Sequence, residues 1–207
     1  MKIAVLDIDD VSFNLRDGML AALNKHSGMN LVHDDWTDYN LHGRYGITLQ
    51  DFFDILIKEK VVENSDPEPW LRTFTHTLVH NGYQVDFLSA RGWHPNAMEI
   101  TKMKLTLYGI PHHNVNLVPI ECKKHEFVKE NYGSIELIVE DSPTHFHEIF
   151  VEHKLSNNGV LIERPWNKNY RQQNSHISFH FWKSIEQFVK LQRTMERPAI
   201  QYMGTIN

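Results

Sequence analysis

The sequence predicts an α/β fold, Rossmann-like, with a central parallel sheet flanked by helices and a small helical cap inserted after the first strand. Three observations predict it. The chain opens on Ile3, Ala4, Val5 and Leu6, an apolar run without polar alternation, as suits a strand covered on both faces. From residue 83 onward, short apolar runs alternate with helical patterns, the rhythm of a parallel sheet with right-handed crossovers. Between these two parts, residues 11–82 show helical periodicity and irregular chain but no strand-like run. The expected partition is residues 1–10 and 83–195 as the core, 11–82 as the cap and 196–207 as a loose C-terminal tail.

Each element has its own signal. Leu15, Met19, Leu20 and Leu23 form the stripe of a first helix, with Gly28 as its stop. Residues 34–46, DDWTDYNLHGRYG, are dense in aromatic and hydrogen-bonding side chains, have no period, and read as irregular chain. Thr48 with Asp51 three residues on is an N-terminal capping signature; it opens a helix expected to run to about residue 62, with Phe52, Phe53, Leu56 and Ile57 at helical spacing. Asp66 and Pro67 are read as the first turn of a third helix, with Trp70, Leu71, Phe74 and Leu78 as its buried face and Gly82 at its end. Further strands are read at residues 85–88, 115–118, 135–139 and 160–162. Helices are read at 96–108, 124–132, 142–153 and 181–191, with Gly109 and Gly133 closing the first two.

Composition narrows the function. The 207 residues are 41% hydrophobic and 23% charged, enough for a full core plus an insertion. A net charge of -5 and no run of Lys or Arg argue against long nucleic acid as a partner. The single cysteine, Cys122, excludes an internal disulfide and fits a reducing compartment. The first apolar run is too short for a signal peptide or a membrane span, so a cytoplasmic protein with no membrane partner is expected. His112, His113, His145 and His147 lack the cysteine partners or the H-E-x-x-H spacing that would favour zinc.

The chemistry gathers at the ends of the strands. Asp7 and Asp9 end the first, Ser89, Ala90 and Arg91 follow the second, and Glu140 and Asp141 end another; Lys123 and Lys124 begin a helix. Carboxylates from two strands suit a hard cation that keeps several waters, as magnesium does. A hydroxyl and an ammonium beside them suit a phosphoryl group. One aspartate can then act as nucleophile and another as proton shuttle.

This order of motifs resembles the haloacid dehalogenase superfamily of phosphatases and phosphotransferases, over residues 1–10 and 83–165. The resemblance implies Asp7 as nucleophile, Asp9 as general acid/base, and Ser89, Ala90, Arg91 and Lys124 around the phosphate. Lys124 is preferred to Lys123 because Phe127 and Val128 follow it at helical spacing. It also implies Mg2+ held by Asp7, Asp9 and Asp141, with Glu140 acting through water or sharing the site. The family usually has glycine where this chain has Asp10. The cap, the WTDYN segment and the ERPWN strand end look like the 5′(3′)-deoxyribonucleotidases within that superfamily. In that reading Phe13, Trp36, Tyr39 and Tyr45 are available to stack a base, and Asp38, Asn40 and Arg44 to hold its edge, sugar or phosphate. Any one of these aromatics taken singly is better suited to the small core of the cap.

The expected partner is therefore a small phosphorylated substrate, a (deoxy)nucleoside monophosphate. The expected reaction is magnesium-dependent hydrolysis through an aspartyl phosphate. The alternatives are a polynucleotide 3′-phosphatase, which the acidic balance and the closed cap disfavour, and a catalytically silent binding module. Clustered like charges without a cation argue against the last.

Overall fold

The structure, a computed structural model, describes residues 1–182. Its frame is a six-stranded sheet of parallel strands in the order β5-β4-β1-β6-β7-β8. The strands are β1 (Lys2–Leu6), β4 (Tyr83–Ser89), β5 (Asn114–Leu117), β6 (Ile135–Glu140), β7 (Ser156–Ile162) and β8 (His180–Trp182). In β1, Ala4 and Leu6 join one apolar cluster and Val5 the other, so the period-two alternation of a strand serves two covered faces at once. Helices α6 (Ala97–Leu107), α7 (Lys124–Tyr132) and α8 (Pro143–Phe146, continuing as a π-helical turn over His147–Glu152) make the crossovers. Gly159 in β7 leaves room for Phe146: a Cβ there would lie 2.7 Å from its ring.

Strand order explains where a site can form. From β1 the chain passes to β4 and β5 on one side, then returns to β6, β7 and β8 on the other. The order therefore reverses between β1 and β6, and ligands of open α/β sheets bind beyond the carboxyl ends of strands at such a point. The Asp7 N–H continues the ladder onto Val139 O at 2.9 Å, so Asp7 lies beside Glu140.

The insertion between β1 and β4 is helical, as expected. It contains α1 (Arg16–Ser27), α2 (Leu41–Arg44), α3 (Leu49–Lys58), α4 (Val61–Asn64) and α5 (Leu71–His80). It leaves and re-enters the core through a short antiparallel pair, β2 (Phe13–Asn14) with β3 (Asp66–Pro67). Its apolar side chains, Met19, Leu23, Phe52, Leu56 and Phe74 among them, share a single buried cluster with Leu6, Val85 and Phe87 of the sheet.

Several boundaries differ from expectation, each for a local reason. The helix opened by the Thr48–Asp51 capping box breaks at Lys60, whose backbone is left-handed at φ 54, and restarts as α4. Asp66 and Pro67 pair with β2 instead of starting α5; a proline suits an edge position as well as a first turn, and α5 begins at Leu71. The 34–46 segment is entered through a 3-10 turn, His33–Asp35, and contains α2, which Asn40 caps through the Gly43 N–H. Phe181 and Trp182 extend β8 instead of opening a helix; the rest of that expected helix and the expected tail lie outside the described residues. Among the described residues no helix is long and apolar enough to cross a membrane.

The insertion is tied to the core by a buried lysine. Lys104 of α6, only 4% exposed, donates to Val62 O at 2.9 Å, Glu63 O at 2.7 Å, Ser65 Oγ at 3.0 Å and Ser65 O. Lys104→Met preserves length but leaves those carbonyls without donors, so chemical denaturation is expected to show a loss of about 2–3 kcal/mol. A change below half a kcal/mol would mean that the cage contributes nothing to holding α4.

Candidate active site

The turn after β1 delivers the acids. Asp7 is buried at 4% exposure, and the Ser12 hydroxyl closes the turn by donating to Asp7 O at 2.6 Å. Asp10, where the resembling family carries glycine, adopts φ 57, a backbone for which glycine is the natural residue. Here the carboxylate compensates: Asp10 Oδ1 accepts from the Leu15 and Arg16 N–H groups at 3.1 and 2.9 Å, capping the start of α1. Arg16 and Arg164 both reach Glu68 at 3.1 Å, and Arg164 Nε donates to Asp10 O at 2.9 Å. The ERPWN segment thus braces the base of the insertion.

The Lys124 ammonium, at the first position of α7, contacts Asp7 Oδ1 at 2.5 Å and also Glu140 Oε1. Glu140 Oε2 in turn accepts from the Asp141 and Ser142 N–H groups at 3.0 Å each. Asp7, Glu140 and Asp141 offer carboxylate oxygens that all lie within 4.8 Å of one another. The electrostatics follow. Burial, reinforced by Glu140, pushes Asp7 up to about 8. Burial with Glu140 and Asp7 raises Asp141 well above the carboxylate range. For Lys124, burial alone would favour the neutral amine, but Asp7 and Glu140 outweigh it and the ammonium is retained.

Asp9 is more open. The Ser89 hydroxyl donates to Asp9 Oδ2 at 3.1 Å, and Arg91 Nε donates to Asp9 Oδ1 at 2.6 Å. Arg91 is 1% exposed and also donates to Thr101 Oγ1 at 3.0 Å. Gly92 fixes this turn against the loop after β5, since a Cβ would lie 2.8 Å from Pro119 Cα.

These groups form one end of a cavity of about 480 Å³. Asp7, Asp9, Ser89, Ala90, Lys124 and Asp141 line it, as do Tyr39 and Asn40 from the insertion. Of the other residues read from sequence, Glu140 lies behind Lys124, and Arg91 is engaged with Asp9 and Thr101 rather than lining the cavity. Phe13 and Tyr45 are core residues, 0% and 7% exposed, with the Tyr45 hydroxyl on Asn24 at 3.2 Å. Arg44 is exposed and pairs with Asp38 at 3.1 Å outside the cavity. Trp36 is fully buried against Trp166.

The rest of the lining is largely apolar and includes Met19, Phe52, Phe53, Trp93 and Trp166. Phe53 of α3 stacks on Trp93 of the core at 4.7 Å and 13°. Sequence reasoning missed Trp93, because its neighbourhood shows no period. It took Phe52 and Phe53 only as helix-core positions. No histidine belongs to a metal-ligating cluster among the described residues; His113 Nδ1 accepts from Val85 N–H at 3.0 Å and His147 Nδ1 lies 2.8 Å from the Tyr170 hydroxyl.

The donor set fits a hard divalent cation. It is all carboxylate oxygen, its three carboxyl groups share one ammonium, and among the described residues Asp141 Oδ1 is buried without a hydrogen-bond partner.

No protein-family model matches this sequence, and no curated protein does. Solved structures do. A protein described as a predicted phosphatase from Clostridium acetobutylicum superposes with a TM-score of 0.64 at 8% identity, covering 93% of this chain and 98% of that one. The L-2-haloacid dehalogenase from Xanthobacter autotrophicus gives 0.58 at 10%, covering 94% and 99%. An HAD phosphatase from Thermococcus onnurineus gives 0.50 at 16%, covering 93% and 98%. The fold is therefore the haloacid dehalogenase-like α/β fold.

The folded chain binds protons at Asp7 and Asp141 more tightly than the unfolded chain does. Their contribution to metal-free stability is therefore full below the ordinary carboxylate value of 3.8 and is lost as pH rises, for Asp7 through about 8. Asp141→Asn, which removes one such charge, is expected to melt above the wild type at pH 8 in chelator. Saturating Mg2+ should reverse that order, since ligand at 100 times its Kd stabilises by about 2.7 kcal/mol. A wild type whose melting ignores Mg2+ would contradict the reading of the cluster as a cation site.

Proposed function

We propose that this chain is a magnesium-dependent phosphomonoesterase that hydrolyses (deoxy)nucleoside monophosphates through an aspartyl phosphate on Asp7. The observation that carries the proposal is the junction of Asp7, Lys124 and the Glu140–Asp141 pair at a cavity whose lining also includes aromatic side chains. Asp7 Oδ attacks phosphorus while Asp9 gives a proton to the departing alcohol oxygen. Asp9 then takes a proton from water as that water attacks phosphorus of the aspartyl phosphate. Inorganic phosphate leaves, and both carboxyl groups return to their starting states. Ser89 and Arg91 hold Asp9 in place for both transfers, and Lys124 offsets charge on Asp7 and on the phosphoryl oxygens.

Asp7 and Asp141, with Asp9 and Glu140 near them, would hold Mg2+, and the bound ion would neutralise the carboxylates and the phosphoryl group. The excess of acid over base is what favours phosphoryl transfer over the chemistry of the dehalogenase that shares the fold: a cluster of this charge is costly without a cation to serve.

The nucleoside assignment rests on the cavity and on the resemblance of the insertion to the deoxyribonucleotidases. Phe52, Phe53, Trp93 and Trp166 offer flat apolar surface, and Tyr39 and Asn40 offer polar atoms, with no Lys or Arg besides Lys124 lining the cavity among the described residues. That lining suits one base and one phosphate better than a polymer or a second phosphate.

Asp7→Asn is expected to keep the fold and lower kcat by at least about a thousandfold, an effect of the size seen when a nucleophile is removed. Near-normal turnover by the purified variant would eliminate the covalent route. In competition, a deoxynucleoside monophosphate is expected to show a higher kcat/KM than a 3′-phosphorylated oligonucleotide. The reverse, with steep loss on adding salt, would move the assignment to processing of nucleic-acid ends.

A further inference from the structure

The ERPWN segment supplies a contact that the proposed reaction has not yet used. Trp166, 8% exposed in the 3-10 turn Pro165–Asn167 after β7, donates from Nε1 to Asp141 Oδ2 at 3.1 Å. Its neighbour secures the same residue through the backbone: Asn167 Nδ2 donates to Asp141 O at 2.7 Å and to Ile162 O at 2.8 Å, while Asn167 Oδ1 accepts from the Arg164 N–H at 2.8 Å. The turn is therefore fixed on the end of β7 and on the end of β6 together.

We propose that Trp166 is the positioning residue for Asp141, turning its carboxylate so that Oδ1 is free for a divalent cation. A carboxylate has two oxygens, and here one is committed to the indole N–H. The other is buried and, among the described residues, has no hydrogen-bond partner, and Asp141 belongs to the cluster with Asp7 and Glu140. A neutral N–H donor orients the acid without neutralising it, which an Arg or Lys in the same place would do. The indole ring is itself held by the insertion, with Trp36 and Tyr39 each at a centroid distance of 6.3 Å. The loop of the insertion that lines the cavity thereby packs against the side chain that aims the acid. This proposal rests on the reading of the acidic cluster as a cation site and extends it to a residue outside the cluster.

The test measures cation binding directly, with Mn2+ as probe followed by electron paramagnetic resonance and Mg2+ by calorimetry, on the full chain. Trp166→Phe keeps a ring against Trp36 and Tyr39 and removes the N–H. It is expected to weaken Mn2+ binding roughly 10–100-fold, the usual effect of losing an outer partner of a metal ligand. In an Asp141→Asn background the same change should cost less than about twofold, because the residue it acts through has already been altered. In the wild type, the Trp166 indole N–H resonance is expected to shift on Mg2+ addition, a measurement that needs no variant. Wild-type affinity in Trp166→Phe, an equal loss in the Asp141→Asn background, or an unmoved indole resonance would each overturn the proposal. A wild type that binds neither cation would overturn the cation site and this inference with it; a wild type that binds and a Trp166→Phe protein that matches it would overturn this inference alone.

Discussion

The Lys124 ammonium wedged between Asp7 and Glu140 is the interaction on which the rest of the structure depends. All three side chains are at most 6% exposed, and each charge would be expensive to bury alone. Together they are tolerable, because the lysine contacts both acids and Glu140 gains two backbone N–H donors besides. Among the described residues Asp141 has no ion-pair partner and its Oδ1 no hydrogen-bond partner, so three clustered carboxyl groups share the single Lys124 ammonium. The fold keeps an acidic site that is stable enough to form and that, in the proposed function, a cation and a phosphate complete.

Topology makes that wedge possible. Asp7 and Glu140 end adjacent strands on either side of the point where strand order reverses, and Lys124 opens the helix that leads back toward it. The insertion then closes over the same edge and is bound to the core by contacts that include the Asp10–Arg16–Glu68–Arg164 network, the Lys104 cage, the Phe53–Trp93 stack and the packing of Trp36 and Tyr39 on Trp166. Its apolar side chains merge with those of the sheet instead of forming a separate core, so the cavity is walled by both parts at once.

The strands and most helices were legible because they carry period and punctuation. β1 is a bare apolar run, Gly28 ends α1 with φ 73, and the Thr48–Asp51 box caps α3 as written. The clustered acids were legible because two carboxylates after an apolar run mark a strand end where side chains can gather. What could not be read is tertiary in origin. Arg91 is followed by nothing that marks it as a partner of Asp9, since that contact spans 82 positions along the chain. Tyr45 and Tyr39 look alike in a segment without periodicity, yet one points to Asn24 in the core and the other lines the cavity. Trp166 and Asn167 stand in the ERPWN strand end, which names no partner for them, and only the pairing of β6 with β7 brings them onto Asp141.

The central claim is that Asp7, held by Lys124, is the group that takes the phosphoryl. It is tested most directly by quenching turnover of p-nitrophenyl phosphate in acid, reducing with borohydride and sequencing peptides by mass spectrometry, since reduction converts an aspartyl phosphate to homoserine. The account predicts homoserine at position 7 in the presence of Mg2+, with no conversion at positions 9, 10 or 141. Steady turnover with an unmodified Asp7, or conversion at another acid, would contradict it.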